Sequence, residues 1–389
     1  MDLLITRAKI ITSDAIYSYG WLLCRDGKIT ALGSGDAPEF DNVQIIDASG
    51  KTLLPGFIDV HVHGAMGGDS MDASPDVLCN MAQFYARHGV TAFLATTWTD
   101  SHNRISAALK TIRDTMQFST GGAAIVGVHL EGPYLNPEKC GAQNKSYIRQ
   151  AHPEEALAYL DVGVIRLLSI APEFEENHWL IRECARRGIT VSIAHSSANY
   201  VETMYGIEQG ISHSTHTYNA MTGLHHRDPG TLGAVMSTPH VRCELIADNI
   251  HVHPAAMKVL WQAKGADHLI LITDAIRAAG MPEGEYPVDE RSLYVKDGAA
   301  RLEDGTLAGS ILTMDKALGN FIQATGETIE GVWRSTSLNA ARAIQLADRK
   351  GSLEIGKDAD LVLIDHQRDT GNIQIHLTVV AGNIVYRPG

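Results

Sequence analysis

The sequence predicts an α/β protein: a (β/α)8 barrel of the TIM type, with a small β-sandwich domain built from both chain termini. Short apolar strands alternate with helical stretches through the middle of the chain. By contrast, the first fifty and last forty residues have a strand pattern only. Eight strand–helix units that together span about 250 residues are typical of such a barrel. A chain of 389 residues can bury a core of that size.

Composition indicates a globular protein that does not act mainly on nucleic acid. A net charge of −13 disfavours a polyanionic partner. No apolar run approaches membrane-spanning length, and the first residues lack a secretory signal pattern. The five cysteines are scattered without a Cys-x-x-Cys pair, which favours a reducing cytoplasm over a disulfide framework.

The two ends of the chain are expected to pair into the small domain, formed by residues 1–54 and 349–389. Asp26-Gly27 predicts a hairpin turn near the N-terminus. Strand patterns occur in the terminal segments 3–11, 20–33, 43–46 and 378–386.

The barrel is expected to span residues 55–348. Its strands are predicted at 57–63, 90–97, 124–131, 165–171, 189–195, 211–216, 242–247 and 269–274. Helices are predicted near 74–88, 101–118, 175–187, 198–209, 254–264, 313–325 and 328–347. Residues 275–312 interrupt the alternation with turn-rich sequence. An insertion after the last strand is expected to lie over the barrel mouth.

A His-x-His motif at the end of the first barrel strand is the first indication of chemistry. In Pro55-Gly-Phe-Ile-Asp-Val-His-Val-His-Gly64, His61 and His63 point the same way, because strand side chains alternate between faces. Two converging imidazoles suit zinc or iron. The same short motif is also common in ordinary strands, so the other strands must decide.

The ends of other predicted strands carry further ligand-type residues, namely Glu131, His195, His216 and Asp274. In a barrel these ends converge on one mouth, so the set predicts a metal centre. Structural alternatives are a hydrogen-bonded buried carboxylate for Glu131, a helix-start residue for His195 and a helix cap for Asp274. Asp274 is also suited to accept a proton from water.

The remaining histidines of these segments are less distinctive. His129 is expected to support the ligands rather than join them. The odd spacing of His213 and His216 implies that only one of the two faces inward. His251-Val-His253 forms a second His-x-His, from which we expect a substrate contact by His251 and assign no role to His253.

The motifs together resemble a known family. The 55–64 segment and the Asp274 strand are similar to the first-strand and last-strand motifs of the amidohydrolase superfamily. One branch is resembled more closely, the N-acetylhexosamine-6-phosphate deacetylases, best known for N-acetylglucosamine 6-phosphate. That resemblance is carried by His-Leu-Glu-Gly-Pro (129–133), Ala-His-Ser (194–196), Thr-His-x-Tyr-Asn-Ala-Met (215–221), Ile-Ala-Asp-x-x-His (246–251), Asn-x-Ala-Arg (339–342) and Gly-Lys-Asp-Ala-Asp-Leu (356–361).

The resemblance implies a metal-dependent enzyme. The metal common to the family would be held by Glu131, His195 and His216. A second metal, present in some members only, would be held by His61 and His63. Asp274 would act as general base and then general acid, and His251 would help to polarise the acetamide.

The resemblance also implies substrate contacts. The phosphate would be bound by Asn219, Ala220 and Arg227 with His251, and the sugar would be covered by Leu307, Ala308 and Gly309. Relatives usually have Gly-Ala-His where this chain has Gly141-Ala142-Gln143, so Ala142 and Gln143 are sugar contacts that leave the epimer open. The 218–230 stretch, with His225 and His226, is closer to the galactosamine-type members.

The resulting hypothesis is hydrolysis of the acetamide of N-acetylglucosamine 6-phosphate, giving glucosamine 6-phosphate and acetate. The metal would be zinc, with iron or another divalent ion as alternatives. A galactosamine-type or dual activity is an alternative. Another amidohydrolase activity would need a carboxylate-binding residue, and no predicted strand ends in a lysine for carbamylation. A catalytically inactive barrel would not need the metal ligands. By analogy with the family, a cytoplasmic homodimer is expected.

Overall fold

The computed structural model describes residues 2–367 and 370–389, and a parallel β barrel lies at its centre. The strands are β1 (Asp2–Ile11), β2 (Ile16–Arg25), β3 (Lys28–Ser34), β4 (Val43–Asp47), β5 (Thr52–Pro55), β6 (Phe57–Val62), β7 (Gly64–Ala65), β8 (Gly68–Asp69), β9 (Val90–Thr96), β10 (Ala124–Glu131), β11 (Ile165–Ile170), β12 (Thr190–Ile193), β13 (Ile211–Ser214), β14 (Arg242–Ile246), β15 (Leu269–Ile272), β16 (Gly284–Val288), β17 (Arg291–Lys296), β18 (Ala299–Leu302), β19 (Leu361–Gln367), β20 (Asn372–Val380) and β21 (Asn383–Tyr386). The helices are α1 (Pro75–Arg87), α2 (His102–Thr115), α3 (Pro153–Leu160), α4 (His178–Arg186), α5 (Tyr200–Gln209), α6 (Gly230–Ser237), α7 (Pro254–His268), α8 (Met314–Thr325), α9 (Ile329–Val332) and α10 (Leu338–Ala343).

The barrel strands follow chain order, β6-β9-β10-β11-β12-β13-β14-β15, and every neighbouring pair is parallel. The first and last strands meet just beyond their ends. There the amide of Asp274 donates to the carbonyl of His61 at 2.9 Å, and the amide of His63 donates to the carbonyl of Ala275 at 2.8 Å. The predicted eight-stranded parallel barrel is confirmed.

Three barrel strands end two residues earlier than predicted, at Ile193, Ser214 and Ile272. The residues that follow within two positions, His195, His216 and Asp274, have positive φ angles of 44°, 27° and 49°. Such left-handed backbone is uncommon for residues other than glycine and clusters at functional sites. Each of these residues therefore lies on a sharp turn at the barrel mouth rather than within a strand.

The helices surround the barrel, and two of them were not predicted. Helix α6 is buried over most of its length, so its sequence lacks a polar face and shows no amphipathic period. The short α3 begins at a proline after a chain segment with no regular pattern. The long helix predicted at 328–347 is instead α9, a 3-10 turn at Trp333–Thr336 and α10, which agrees with the poor helix propensity of its Ser-Thr-Ser run.

Both termini build a separate sheet, which is confirmed by the order β21-β20-β19-β5-β1-β2-β3, with β4 also paired to β1. The sheet encloses an apolar core of its own, which includes Ile5, Leu22 and Leu363. Because β5 and β6 are separated by Gly56 alone, the chain passes directly from this sheet into the barrel.

The 275–312 segment forms a three-stranded antiparallel sheet, β16-β17-β18. Its inner face packs on Ile276 and Ala142 through an apolar cluster that includes Leu293 and Val295. Its last residues return to the barrel mouth, where the amide of Ser310 donates to the carbonyl of Asp274 at 2.8 Å. In the described residues, no helix is long and apolar enough to cross a membrane.

Candidate metal centre and substrate cavity

A cavity opens at the carboxyl ends of the barrel strands. Most of the residues proposed from the sequence line it, namely His63, Glu131, Ala142, Gln143, His195, His216, Asn219, Ala220, His251, Asp274, Leu307 and Gly309. His61 lies beneath the cavity floor and is fully buried. The turns after the strands and the loop from the insertion thus bring together side chains from distant parts of the chain.

Glu131, at the end of β10, lies at the middle of the centre. Its Oε1 is 3.4 Å from His195 Nε2, 3.2 Å from His216 Nε2 and 3.5 Å from His61 Nε2. Its Oε2 is 3.2 Å from His63 Nε2. One oxygen of this carboxylate therefore faces three imidazoles and the other oxygen faces the fourth.

The same side chains form two groups with the spacing of metal ligands. In each group the donor atoms lie within 4.8 Å of one another, and every member is buried. One group is Glu131, His195 and His216, and the other is His61, His63 and Asp274. Nitrogen and oxygen donors of this kind suit zinc and other divalent metals.

Buried atoms without hydrogen bonds test whether these residues fit a metal. Among the described residues, His61 Nε2 and Glu131 Oε1 are buried in the centre without a hydrogen-bond partner. Buried polar atoms normally have hydrogen-bond partners, so two such atoms facing each other without one need a further group between them. A cation between them would satisfy both, and the donor set therefore fits a divalent metal.

The charges of the centre shift the protonation of its members. Burial alone would raise the pKa of Glu131, but His61 and the neighbouring histidines hold it well below its ordinary value. Burial lowers the pKa of His63, whereas Asp274 and Glu131 raise it, for a net rise to about 9. Burial would raise the pKa of Asp274, but His61 and His63 lower it. The carboxylates therefore favour positive charge in this cluster, which a divalent cation also supplies.

His195 and His63 are held by groups outside the cluster. His195 Nδ1 lies 2.7 Å from the carbonyl of Lys139, which leaves Nε2 facing Glu131. The ring of His63 stacks on Trp98, with the centroids 4.1 Å apart. These contacts fix the ring orientations, as is usual for imidazole ligands.

Asp274 is positioned through the strand before it. Thr273 donates its hydroxyl to Asp59 Oδ2 at 2.5 Å, and Asp59 Oδ1 accepts from the amide of His61 at 3.2 Å. Burial raises the pKa of Asp59 to about 7. Asp59 thus links the His-x-His strand to the residue next to Asp274. Asp274 Oδ1 lies 3.5 Å from His61 Nε2 and 3.4 Å from His63 Nε2.

The expectation that only one of His213 and His216 faces inward is wrong. Strand β13 ends between these two histidines, and the turn after it changes the direction of the His216 side chain. The alternation of side chains between the two faces of a strand therefore does not apply to this pair. His213 is fully buried, with Nε2 2.9 Å from Glu244 Oε1. His129 lies behind His61, with the ring centroids 4.5 Å apart, and its Nε2 is 2.7 Å from Ser169 Oγ.

The second His-x-His motif separates into two different environments. His251 lines the cavity, and its Nδ1 lies 2.6 Å from Asp248 Oδ2. His253 is exposed and caps α7, where its Nδ1 accepts from the amide of Ala255. Only His251 therefore faces the site.

Gln143 is buried between two protein partners. Its Oε1 accepts from the amide of Thr99 at 2.8 Å, and its Nε2 donates to Glu131 Oε2 at 2.7 Å. A primary amide keeps one further N–H and one further lone pair. The side chain is thus fixed against Glu131 while still lining the cavity.

Two predicted substrate contacts are not brought to the cavity. Arg227 lies on an exposed loop, where its Nη1 is 2.8 Å from His226 Nε2. Ala308 is buried in the apolar cluster under the insertion, between Leu307 and Gly309. An arginine on a long loop can be placed by sequence only through resemblance, because no periodic pattern fixes its direction.

Sequence reasoning missed several residues of the site. Trp98, Ile246 and Thr306 line the cavity, and Glu244 contacts the histidines from below. Trp98 lies two residues after the end of a buried strand. Other site residues were predicted because they lie at the same distance from a strand end. Glu244 is a charged residue flanked by apolar residues in the middle of β14, and that anomaly was the available signal.

Comparisons with known proteins agree with this arrangement. Residues 52–385 match the amidohydrolase family. The chain is 38% identical to the N-acetylglucosamine-6-phosphate deacetylase of Bacillus subtilis (strain 168), over 99% of its own length and 97% of the relative's. It is 37% identical to the N-acetylgalactosamine-6-phosphate deacetylase of Escherichia coli O157:H7, over 92% of its length and 93% of the relative's.

A solved structure has the same fold over nearly the full length. It is that of an aspartate-to-alanine variant of the N-acetyl-D-glucosamine-6-phosphate deacetylase of Mycobacterium smegmatis, in complex with N-acetyl-D-glucosamine-6-phosphate. The TM-score is 0.91 and the identity is 29%, over 99% of each chain.

Proposed function

Because the chain belongs to the amidohydrolase family, and within it to the N-acetylglucosamine-6-phosphate deacetylases, we propose that it hydrolyses the acetamide of N-acetylglucosamine 6-phosphate. The products are glucosamine 6-phosphate and acetate. The observation that carries this proposal is the convergence of Glu131 with four histidines and Asp274 at one barrel mouth. Amide hydrolysis needs an activated water and a proton donor for the leaving nitrogen, and such a cluster can supply both.

Asp274 is the proposed general base and acid. Glu131, His195 and His216 would hold a divalent metal, which would act as a Lewis acid and lower the pKa of water towards 7. Asp274 accepts the proton of the attacking water on its carboxylate. It then delivers that proton to the acetamide nitrogen, because an amide does not expel an unprotonated amine anion. The lowered pKa of Asp274 means that it begins the reaction as a carboxylate.

His251 is proposed to orient and polarise the acetamide carbonyl. The Asp248 carboxylate is 2.6 Å from its Nδ1, so Nδ1 carries a proton and Nε2 faces the cavity. With a proton on Nε2, His251 would donate to the carbonyl oxygen, where negative charge develops in the transition state.

The phosphate and sugar are proposed to bind in the same cavity. Asn219 and Ala220 line the cavity in the turn that follows His216. Leu307 and Gly309, from the end of the insertion, would cover the sugar. Arg227 remains the proposed bidentate partner of the phosphate, since a guanidinium matches phosphate geometry.

Hydrolysis of N-acetylgalactosamine 6-phosphate is a second candidate function. The Escherichia coli relative with that name is almost as similar to this chain as the Bacillus subtilis relative is. Gln143 supports the same possibility, because its remaining N–H and lone pair can serve either orientation of the 4-hydroxyl.

Zinc is the proposed metal, with iron or another divalent ion as the alternative. We propose one ion on Glu131, His195 and His216, and a second on His61, His63 and Asp274. Mixed nitrogen and carboxylate ligands support a borderline metal of this type. Glu131 lies between the two groups, with Oε1 3.2 Å from His216 Nε2 and Oε2 3.2 Å from His63 Nε2, and would help to hold the metal.

A reducing cytoplasmic environment and a homodimer are further parts of the proposal. The five cysteines are unpaired, and Cys24, Cys184 and Cys243 are buried as thiols. The dimer rests on analogy with the family, and size-exclusion chromatography with light scattering measures it directly.

An assay with four substrates tests the proposed activity. Purified enzyme is given N-acetylglucosamine and N-acetylgalactosamine, each with and without the 6-phosphate, and acetate release is measured. The proposal predicts efficient release from the glucosamine 6-phosphate derivative and much weaker release from the sugars without phosphate. Equal rates with and without phosphate, or no release from any of the four, would overturn it.

A further inference from the structure

Glu244 is a carboxylate inside the barrel that lies behind the proposed metal ligands. It stands in the middle of β14 and is fully buried. A buried charge of this kind is costly unless it is paired and hydrogen-bonded. The contacts of Glu244 therefore indicate its role, and they reach residues of both proposed metal sites.

The first contact fixes the tautomer of His61. Glu244 Oε2 lies 3.0 Å from His61 Nδ1. A carboxylate can only accept there, so Nδ1 carries the proton and Nε2 is left with a free lone pair. That Nε2 is the atom 3.5 Å from both Glu131 Oε1 and Asp274 Oδ1. Glu244 thus turns the correct nitrogen of His61 towards the centre.

The second contact holds the turn that carries His216. The same Oε2 accepts from the amide of His216 at 3.1 Å. The carbonyl of Glu244 accepts from the next amide, that of Thr217, at 2.9 Å. His216 has a φ of 27°, a conformation that must be held by its surroundings. Two hydrogen bonds from one residue to consecutive amides supply that restraint.

The third contact keeps the carboxylate itself in place. Glu244 Oε1 lies 2.9 Å from His213 Nε2, on the side away from the other two donors. With a donor on each side, the carboxylate cannot rotate without losing a hydrogen bond. Glu244 also has the spacing of a metal ligand with His61 and His129. Both of its oxygens are already hydrogen-bonded, Oε2 to His61 Nδ1 and the His216 amide and Oε1 to His213 Nε2, so we assign it a supporting role.

We propose that Glu244 is a positioning residue that couples the two proposed metal sites. It sets the ring of His61 for one site and the backbone of His216 for the other. This inference rests on the proposed metal centre. It predicts that a change at Glu244, which lines no part of the cavity, alters metal binding at the His61 site most strongly.

The test compares metal binding by wild type, Glu244→Gln and a control, Asp360→Asn. Asp360 is also a buried carboxylate, with Oδ2 2.6 Å from Lys350 Nζ, but it belongs to the terminal region. Each protein is stripped with a chelator, reloaded with zinc and titrated against a competing chelator. Ions per chain and affinities are measured, along with the melting temperature of the stripped protein.

We expect wild type and Asp360→Asn to bind two ions. Glu244→Gln should keep the tighter ion and bind the other about 10–100-fold more weakly, the usual effect of losing a carboxylate behind a histidine ligand. When His61→Ala is added both to wild type and to Glu244→Gln, the two resulting proteins should no longer differ in metal affinity. In the cobalt-loaded proteins, the visible absorption spectrum of the Gln variant should differ from that of wild type.

The outcomes are distinguishable. If wild type itself binds no metal, the proposed metal centre fails. If wild type binds two ions and Glu244→Gln binds both with unchanged affinity, the positioning role is wrong. If Glu244→Gln does not fold, Glu244→Asp is used, which keeps the charge but withdraws it by one methylene. Failure of both variants to fold would show a purely structural residue and overturn the proposal.

Discussion

Asp274 occupies an unusual position for a carboxylate, on a left-handed turn with two imidazoles about 3.5 Å from one of its oxygens. Its neighbour Thr273 is tied to Asp59, so the direction of the side chain is set by the closing strands of the barrel. This geometry allows proton transfer without large movement of the residue.

Asp274→Asn is expected to reduce turnover by about 10²–10⁴-fold. Asparagine has nearly the same shape but can neither accept the proton of water nor deliver one to nitrogen. The measurement is kcat with the phosphorylated substrate, with the melting temperature as a check on the fold. Turnover within threefold of wild type would show that another group is the base.

Gln143 is the residue at which substrate choice is most open. Its amide is held by Thr99 and Glu131, yet one donor and one acceptor remain for the sugar. We expect hydrolysis of both 6-phosphate epimers within roughly tenfold in kcat/KM, about 1.4 kcal/mol. Gln143→His should change that ratio without changing the metal content. A strong preference of wild type for one epimer, unaltered by the substitution, would exclude Gln143 as the selector.

The residues that sequence could place share one property. His61, His63, Glu131 and the later histidine and aspartate positions all lie at or just beyond the end of an apolar strand, on the side that faces the barrel mouth. Glu244 had no such marker, because a charge in mid-strand does not reveal which side chains it meets. Arg227 was placed by resemblance, and the exposed loop that carries it is not fixed by any strand or helix.

At the scale of elements, the insertion after the last barrel strand is held very close to Asp274. Gly309 has a φ of 54°, and a Cβ there would lie 2.8 Å from the carbonyl oxygen of Asp274 and 2.5 Å from Ile276 Cγ2. The loop can therefore approach the site so closely only with glycine at this position.

Gly309→Ala is expected to lower kcat/KM by at least tenfold, because the methyl group pushes the loop and Asp274 apart. Gly305→Ala is the matched control, since Gly305 also has a positive φ of 87° but has no atom within 4 Å of its Cβ position. Both variants carry the backbone strain, and only the first carries the clash. Similar kinetics for the two would mean that the close packing is not needed for activity.

Helices and strands whose apolar residues recur at a regular spacing were predicted well, and those without such a spacing were not. The barrel strands and the amphipathic helices α1, α2 and α4 lie within a few residues of their predicted positions. The buried α6 has no polar face, so its pattern resembled neither a surface helix nor a strand. Strand ends were predicted too far along the chain where the last apolar residues belong to a turn. Those residues stay buried beyond the last hydrogen bond between strands, so burial does not mark where the strand ends.

At the scale of the whole molecule, an ion pair joins the terminal sheet to the barrel. Lys9, on β1, binds Glu330 on α9. Burial would raise the pKa of Glu330, but hydrogen bonds from Lys9 and Thr328 lower it to about 2. The folded pKa is below the unfolded value of about 4.3, so this contribution is present above that value and is lost as pH falls towards 2.

Glu330→Gln should therefore destabilise the protein at pH 7, by about 1 kcal/mol after allowance for partial exposure. The difference from wild type should shrink as pH is lowered from 5 towards 2, because wild type then loses the same charge. Urea unfolding at several pH values measures it, with chelator present throughout so that metal release does not contribute. A difference that stays constant with pH would show that the carboxylate charge is not the cause.

The architecture as a whole could be predicted because two patterns extend over long stretches of the sequence. Strands alternate with helices through the middle of the chain, and the two terminal segments contain strand patterns only. The pairing inside the terminal region could not, since β4 and β5 both join β1 and no local signal specifies that branching. The buried hydrogen bonds that unite the two halves of the metal centre were also out of reach, because they connect residues about 180 positions apart.

We propose that the cluster around Glu131 binds a divalent metal, and that hydrolysis of the acetamide of the phosphorylated sugar requires this metal. The most direct measurement titrates zinc into chelator-stripped wild type while bound ions per chain and acetate release from N-acetylglucosamine 6-phosphate are followed in the same samples. We expect almost no release from the stripped protein, with activity rising as the first ion binds. Glu131→Gln should bind less metal and remain inactive. Full activity in the stripped protein, or full metal loading without acetate release, would contradict it.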